Sequence, residues 1–319
     1  MYIAPLLNMD YIAIVFGLLF LVKGGDWLMQ AAVAISIKLS IPKIVIGMTV
    51  VSFTTSAPEL IVSVKSALMG HPDLALGNIV GSNIANLAFV LGIVILISPI
   101  SVTKNFYKSD WPIMFLVTLI FYSFIAQDGI LSSFEGTILL LLLMCVLLFL
   151  FFFQKKSMVD NDSITSDVSS KKMISLLFLG GSFALWLGSE MLINAAVSLA
   201  QDIGISERII SISIVSIGTS IPELSASIVA IFNKEKELSI GNLIGSNIFN
   251  ILAVMGITAM IKPIVVFDQN LLEIDFLWMI FISILILPLS LIPERMKLGR
   301  VAGLTLLGCY AIFIYQMFA

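Results

Sequence analysis

Glu59 and Glu223 each lie in an apolar stretch of the chain, shortly after a group of hydroxyl residues and a proline. The first segment runs Ser52-Phe-Thr-Thr55-Ser56-Ala-Pro58-Glu59-Leu60, the second Ser216-Ile-Gly-Thr219-Ser220-Ile-Pro222-Glu223-Leu224. On a helix, positions 52, 55, 56 and 59 fall at i, i+3, i+4 and i+7, so they form one polar stripe. Pro58 has no amide hydrogen and its ring clashes with the carbonyl four residues back, so carbonyls near Thr54 are expected to be freed. Pro222 repeats the arrangement. Freed carbonyls within an apolar span are tolerable where they line a cavity or bind a cation. An acid at the centre of a bilayer costs about 2.5–3.5 kcal/mol on insertion scales. No in-phase lysine or arginine sits beside either glutamate. Bound cations or protons are therefore the expected counter-charge.

A second pair of segments carries the facing chemistry. Gly77-Asn78-Ile-Val-Gly81-Ser82-Asn83-Ile-Ala-Asn86 is matched by Gly241-Asn242-Leu-Ile-Gly245-Ser246-Asn247-Ile-Phe-Asn250. Asn78, Ser82 and Asn86 are spaced by four and share a helix face. Ser82, Asn86, Ser246 and Asn250 are taken as ion-facing groups. Gly77, Gly81, Asn78 and Asn83 are taken as packing residues, the glycines allowing close helix approach. Carboxylates, hydroxyls, amides and freed carbonyls are all oxygen donors. Such a set suits a hard cation, calcium or sodium, and not zinc or copper.

The elements that must position these groups are membrane helices. The chain has 319 residues, 59% hydrophobic and 12% charged, with mean hydropathy +1.10. A soluble domain is about 45–50% apolar and about 25% charged. The net charge of −3 supplies no basic surface for nucleic acid. Cys145 and Cys309 make no disulfide framework and His71 is the one histidine. No HExxH or GxSxG segment is present, so an enzyme is not expected. Ten apolar segments of span length are expected, near 11–36, 41–69, 73–98, 109–126, 130–154, 173–200, 207–232, 238–261, 270–292 and 299–318. Nothing before the first span reads as a cleavable signal. Alternate loops collect the lysines and arginines, among them Lys38, Lys104, Lys155, Lys171 and Arg295, while the others hold only Arg208 and Lys262. That bias places the 155–172 loop in the cytoplasm and both termini outside.

The halves align without a gap at an offset of 164: Asp26 with Glu190, Glu59 with Glu223, Ser82 with Ser246, Asn86 with Asn250. Residues 24–92 and 188–256 share 25 identities in 69 positions. The expected organisation is a first five-helix repeat over 1–154, a linker over 155–172 and a second five-helix repeat over 173–319. Because five is odd, the repeats enter the membrane from opposite sides, an inverted arrangement of transporters with the site near the midplane. Asp26 and Glu190 are expected to have structural or gating roles.

The paired T-S-x-P-E and G-N-x-x-G-S-N segments resemble the alpha repeats of the calcium/cation antiporters, nearest the prokaryotic sodium/calcium exchangers. The resemblance covers both halves. It implies ten transmembrane helices, with the second, third, seventh and eighth enclosing the ions and the first and sixth sliding to gate access. It implies ion ligands at Glu59 and Glu223, at Thr55, Ser56, Thr219 and Ser220, at the backbone carbonyls of Ser52 and Ser216, and at Ser82, Asn86, Ser246 and Asn250. It further implies Na⁺/Ca²⁺ antiport by alternating access in a cell membrane, electrogenic at the family stoichiometry of three to one. Ca²⁺ and Na⁺ are then substrates, the lipid bilayer is the surrounding partner, and neither cofactor, nucleic acid nor obligate protein partner is expected. The alternatives are another divalent cation, or coupling to protons or K⁺. Thr54 replaces the usual glycine, and Asn250 stands where several relatives have aspartate, which disfavours K⁺ co-transport.

Overall fold

The computed structural model describes residues 4–39, 41–153, 170–202 and 215–318. Among the described residues the regular structure is helical apart from four two-residue strands. The first half contributes α1 (Ala4–Leu39), α2 (Lys43–Thr55), α3 (Ala57–Met69), α4 (Pro72–Ile97), α5 (Phe106–Asp128) and α6 (Ser133–Phe153). The second half contributes α7 (Lys171–Asp202), α8 (Ser216–Thr219), α9 (Ile221–Phe232), α10 (Lys236–Ile261), α11 (Leu271–Leu289) and α12 (Arg300–Phe318).

Among the described residues, seven helices are long and apolar enough to cross a bilayer: α1, α4, α5, α6, α10, α11 and α12. The bent pair α2 and α3 makes eight if counted as one span. Two expected spans fall outside this count. The span at 173–200 lies in α7, a 32-residue helix that opens on two lysines. The span at 207–232 begins in residues outside those described and emerges as the short α8 and α9. Most of the expected 155–172 linker also lies outside the described residues.

Burial sorts the helices into centre and periphery. In α4 and α10, 83% of the most apolar stretch is buried, against 17% in α6. A helix buried all round must be apolar all round except where polar groups meet partners. In α4 and α10 those exceptions are the asparagine–serine segments. The outer helices expose apolar rings such as Phe152 and Tyr315, the expected surface for lipid. The phenylalanine-rich end of α6 faces outward in this way, except for the buried Leu150. His71 is exposed before α4, as its turn position suggested. Gly70 ends α3 at φ 91°, a left-handed conformation that a side chain would oppose.

The halves interlock through equivalent contacts. Strand β1 (Ile100–Ser101) pairs antiparallel with β4 (Lys297–Leu298), and β2 (Ile130–Leu131) with β3 (Ile264–Val265). Strands this short leave no periodic signal, and the sequence did not suggest them. A Cβ on Gly24 would lie 2.9 Å from Gly181 O, and one on Gly188 2.7 Å from Gly17 O. Residues 24 and 188 are offset by 164, and so are 17 and 181. Helices α1 and α7 therefore cross backbone to backbone at two related points.

Candidate ion-binding site

The polar stripe expected on one continuous helix is divided. α2 ends at Thr55, Ser56 has φ −82° and ψ 6°, and α3 begins at Ala57 after a bend of 44°. The second half repeats this at Ser220, with φ −83° and ψ 0°, between α8 and α9. Pro58 and Pro222 occupy the first turns of α3 and α9, where a missing amide hydrogen costs nothing. The prolines thus start new helices and do not bend existing ones. Ser52 O and Ser216 O accept the Ser56 and Ser220 amides at 2.9 and 3.1 Å.

The break places Glu59 and Glu223 in the first turns of α3 and α9. The amides of a helix's first turn carry the positive end of its dipole, which offsets part of the cost of a buried carboxylate. Both glutamates have no accessible surface, and none of the twelve residues expected to hold ions is more than 3% exposed.

Helices α4 and α10 bring the facing groups. Thr55 Oγ1 lies 3.3 Å from Ser246 Oγ, and Thr219 Oγ1 lies 3.1 Å from Ser82 Oγ. Each pair joins the two halves. Ser82 Oγ also donates to Ser216 O at 3.4 Å, and Ser52 Oγ to Gly47 O at 2.8 Å and Asn242 O at 2.9 Å. Asn250 Nδ2 donates to Asn83 Oδ1 at 3.1 Å, while neither side-chain polar atom of Asn86 has a hydrogen-bond partner. Both asparagines sit in π-helical turns, Ala85–Val90 and Asn250–Met255. Such turns often mark functional positions, and the sequence pattern did not indicate them.

Close approach requires small residues. A Cβ on Gly241 would lie 2.5 Å from Ile44 O, and one on Gly245 2.5 Å from Met48 Cα. α10 therefore rests directly on the backbone of α2, bringing Ser246 to Thr55. These are the repeat mates of Gly77 and Gly81, the glycines for which packing was expected.

Several buried oxygens at the centre have no hydrogen-bond partner: Glu59 Oε1 and Oε2, Glu223 Oε2, Ser220 Oγ, Asn86 Oδ1 and Asn250 Oδ1. Buried polar atoms are ordinarily paired, so a cluster of exceptions calls for a ligand. Among the described residues no group of three or more His, Cys, Asp and Glu forms. The donors are two carboxylates with hydroxyls and amides, the chemistry of a hard cation.

A family model described as sodium/calcium exchanger protein matches residues 9–152 and 173–319. The chain belongs to the sodium/calcium exchanger family. It is 33% identical to the inner membrane protein YrbG of Escherichia coli, over 96% of this chain and 95% of that protein. It is 29% identical to the sodium/calcium exchanger MaX1 of Methanosarcina acetivorans, over 98% and 99%. It is also similar to the solved structure of the sodium-calcium exchanger NCX_Mj soaked with Na⁺ and Ca²⁺. That match has a TM-score of 0.80 and 29% identity, over 96% of this chain and 97% of that one. The family is one of membrane transporters, which agrees with the expectation of no enzyme.

Sequence reasoning passed over four residues that border this candidate site. Asn78, taken as a packing group, and its repeat mate Asn242 reach Thr219 and Thr55 across the halves. Their amides also donate to Ser63 and Ser227, each at 3.2 Å. The signal was present: both serines are identities of the duplication and follow the glutamates by four positions. Asp26 and Glu190 lie away from this network, accepting from Gln30 and Asn194 on their own helices at 3.1 and 3.4 Å.

Proposed function

We propose that this family member exchanges Na⁺ for Ca²⁺ across a cell membrane by alternating access. The observation that carries the reading is the pair of fully buried carboxylates, three of whose four oxygens have no hydrogen-bond partner, ringed by hydroxyls from both halves. The two charges balance one Ca²⁺. The ligands are Glu59 and Glu223, the hydroxyls of Thr55, Ser56, Thr219, Ser220, Ser82 and Ser246, the amides of Asn86 and Asn250, and the carbonyls of Ser52 and Ser216. A site holding Ca²⁺ has no room for the full Na⁺ complement, and that competition couples the two flows.

The fold we propose has ten spans in two inverted five-helix repeats, 1–154 and 173–319, joined by a cytoplasmic 155–172 segment with both termini outside. The recurrence of glycine contacts and hydrogen bonds at the repeat offset supports this arrangement. In the alternating-access reading, α1 and α7, joined backbone to backbone at their glycine-lined crossing, slide together across the core. At three Na⁺ for one Ca²⁺ one net charge crosses per cycle, worth about 2.3 kcal/mol at 100 mV.

The test is radioactive calcium uptake into proteoliposomes loaded with sodium and diluted into sodium-free buffer, with and without valinomycin. Uptake that needs internal sodium and responds to potential is the expected result. Uptake indifferent to sodium would move the coupling to protons or K⁺, and failure of Ca²⁺ with uptake of another divalent would move the substrate.

A further inference from the structure

We propose that Asn78 and Asn242 are positioning residues, each setting the proton direction of the ion-facing threonine in the opposite half. The inference rests on the ion-site reading above and adds to it how that site is tuned.

The geometry fixes the direction of each bond. Asn78 Nδ2 lies 3.5 Å from the backbone oxygen of Glu59, and Asn242 Nδ2 lies 3.4 Å from that of Glu223. A backbone carbonyl only accepts, so the nitrogen of each amide must face it. Each Oδ1 is thereby turned to the other half, where Asn78 Oδ1 meets Thr219 Oγ1 and Asn242 Oδ1 meets Thr55 Oγ1, both at 3.2 Å. An amide oxygen also only accepts, so each threonine donates its single proton to the asparagine. One lone pair of each threonine oxygen then faces the serine hydroxyl beside it, Ser82 or Ser246, and the other is left for a cation. Both asparagines are at most 1% exposed, so water does not compete for these bonds.

The asparagines have a local competitor. Thr219 Oγ1 is 3.3 Å from Ser216 O, and Thr55 Oγ1 is 3.4 Å from Ser52 O, each three residues back on its own helix. Without the amide oxygen, the hydroxyl proton turns to that carbonyl and the lone pairs rotate away from the centre. The serine carbonyl then accepts one more proton, which weakens it as an ion ligand too. Each asparagine also holds the backbone of its own half's glutamate. A movement of one half against the other therefore strains the backbone of a glutamate and a threonine hydroxyl together. This links ion occupancy to the relative position of the halves.

The crossed pattern defines the test. In the purified full-length protein, Ca²⁺ affinity is measured by isothermal titration and by the KM of sodium-driven uptake. The variants are Asn78→Leu, Thr219→Val, Thr55→Val and the two double variants. Asn78→Leu should weaken Ca²⁺ binding about tenfold. Its effect should be largely absent in a Thr219→Val background and fully present in a Thr55→Val background. Asn78→Gln, which keeps the amide chemistry on a longer arm, should recover part of the affinity. Thermal unfolding of each variant separates this from loss of fold. Equal effects of Asn78→Leu in both threonine backgrounds would overturn the positioning role and leave the ion site standing. Unchanged Ca²⁺ affinity in Thr219→Val and Thr55→Val would remove the threonines from the ion site and the inference with them.

Discussion

Ser56 Oγ lies 3.5 Å from Glu223 Oε1, whereas both oxygens of Glu59 lack a partner, so the equivalent bond from Ser220 is not made. The two halves share sequence and architecture, yet their carboxylates are not held alike. Ser56→Ala should therefore weaken Ca²⁺ binding more than Ser220→Ala does in the state described. Equilibrium titration of the two variants checks the order, and equal losses would contradict it.

Replacing either carboxylate tests the site itself. Glu59→Gln and Glu223→Gln each remove one charge and turn an amide nitrogen toward the cation. Loss of a buried charged partner costs about 3 kcal/mol or more, over a hundredfold in affinity. Calcium uptake should fall below detection in both, while thermal unfolding in detergent shows the fold retained. Near-normal uptake in either variant would release that glutamate from the site.

The contact of α10 with α2 predicts which glycines are replaceable. A Cβ on Gly245 would press on the backbone of Met48 and on Ser52 Oγ. Gly245→Ala should cost about 1–3 kcal/mol or more, since backbone cannot repack as side chains do. Gly180→Ala meets only Trp27, at 3.8 Å, and should be neutral or stabilising by about 0.5–1 kcal/mol. Thermal unfolding followed by intrinsic fluorescence ranks the two.

If α1 and α7 slide as one pair to open the site, bulk that loosens their crossing should slow turnover without touching the ligands. Gly188→Ala places a methyl 2.7 Å from Gly17 O, outside the ion-binding elements. Maximal exchange rate should fall several-fold with Ca²⁺ affinity unchanged. A parallel loss of affinity would tie this crossing to the ion site and count against its role as a gate.

Lys43 Nζ and Glu235 Oε1 form a 2.7 Å ion pair between the first residue of α2 and the N-cap of α10. Lys43 is 22% exposed and Glu235 6%, so the pair is only partly screened. Lys43→Ala should cost about 1 kcal/mol, and the charge-reversed double variant Lys43→Glu with Glu235→Lys should recover most of it. Thermal unfolding of the four proteins forms the cycle.

Much of this site was legible in the sequence because a membrane makes polar residues conspicuous. An acid or amide inside an apolar stretch has no solvent to satisfy it, so Glu59, Glu223, Asn86 and Asn250 declare themselves by location. The duplication then supplied their partners by an offset of 164, and helix periodicity grouped the hydroxyls with them. Family membership followed from the same two segments. Tertiary structure decided what periodicity cannot carry. A proline in an apolar run is compatible with a bend or with a fresh start, and only the backbone at Ser56 and Ser220 shows the start, with the glutamates in a first turn. Asn78 and Asn242 look like packing residues along their own helices. Their chemistry lies in bonds to the opposite half, and a bond between residues some 140 to 190 positions apart depends on how the helices are placed in space.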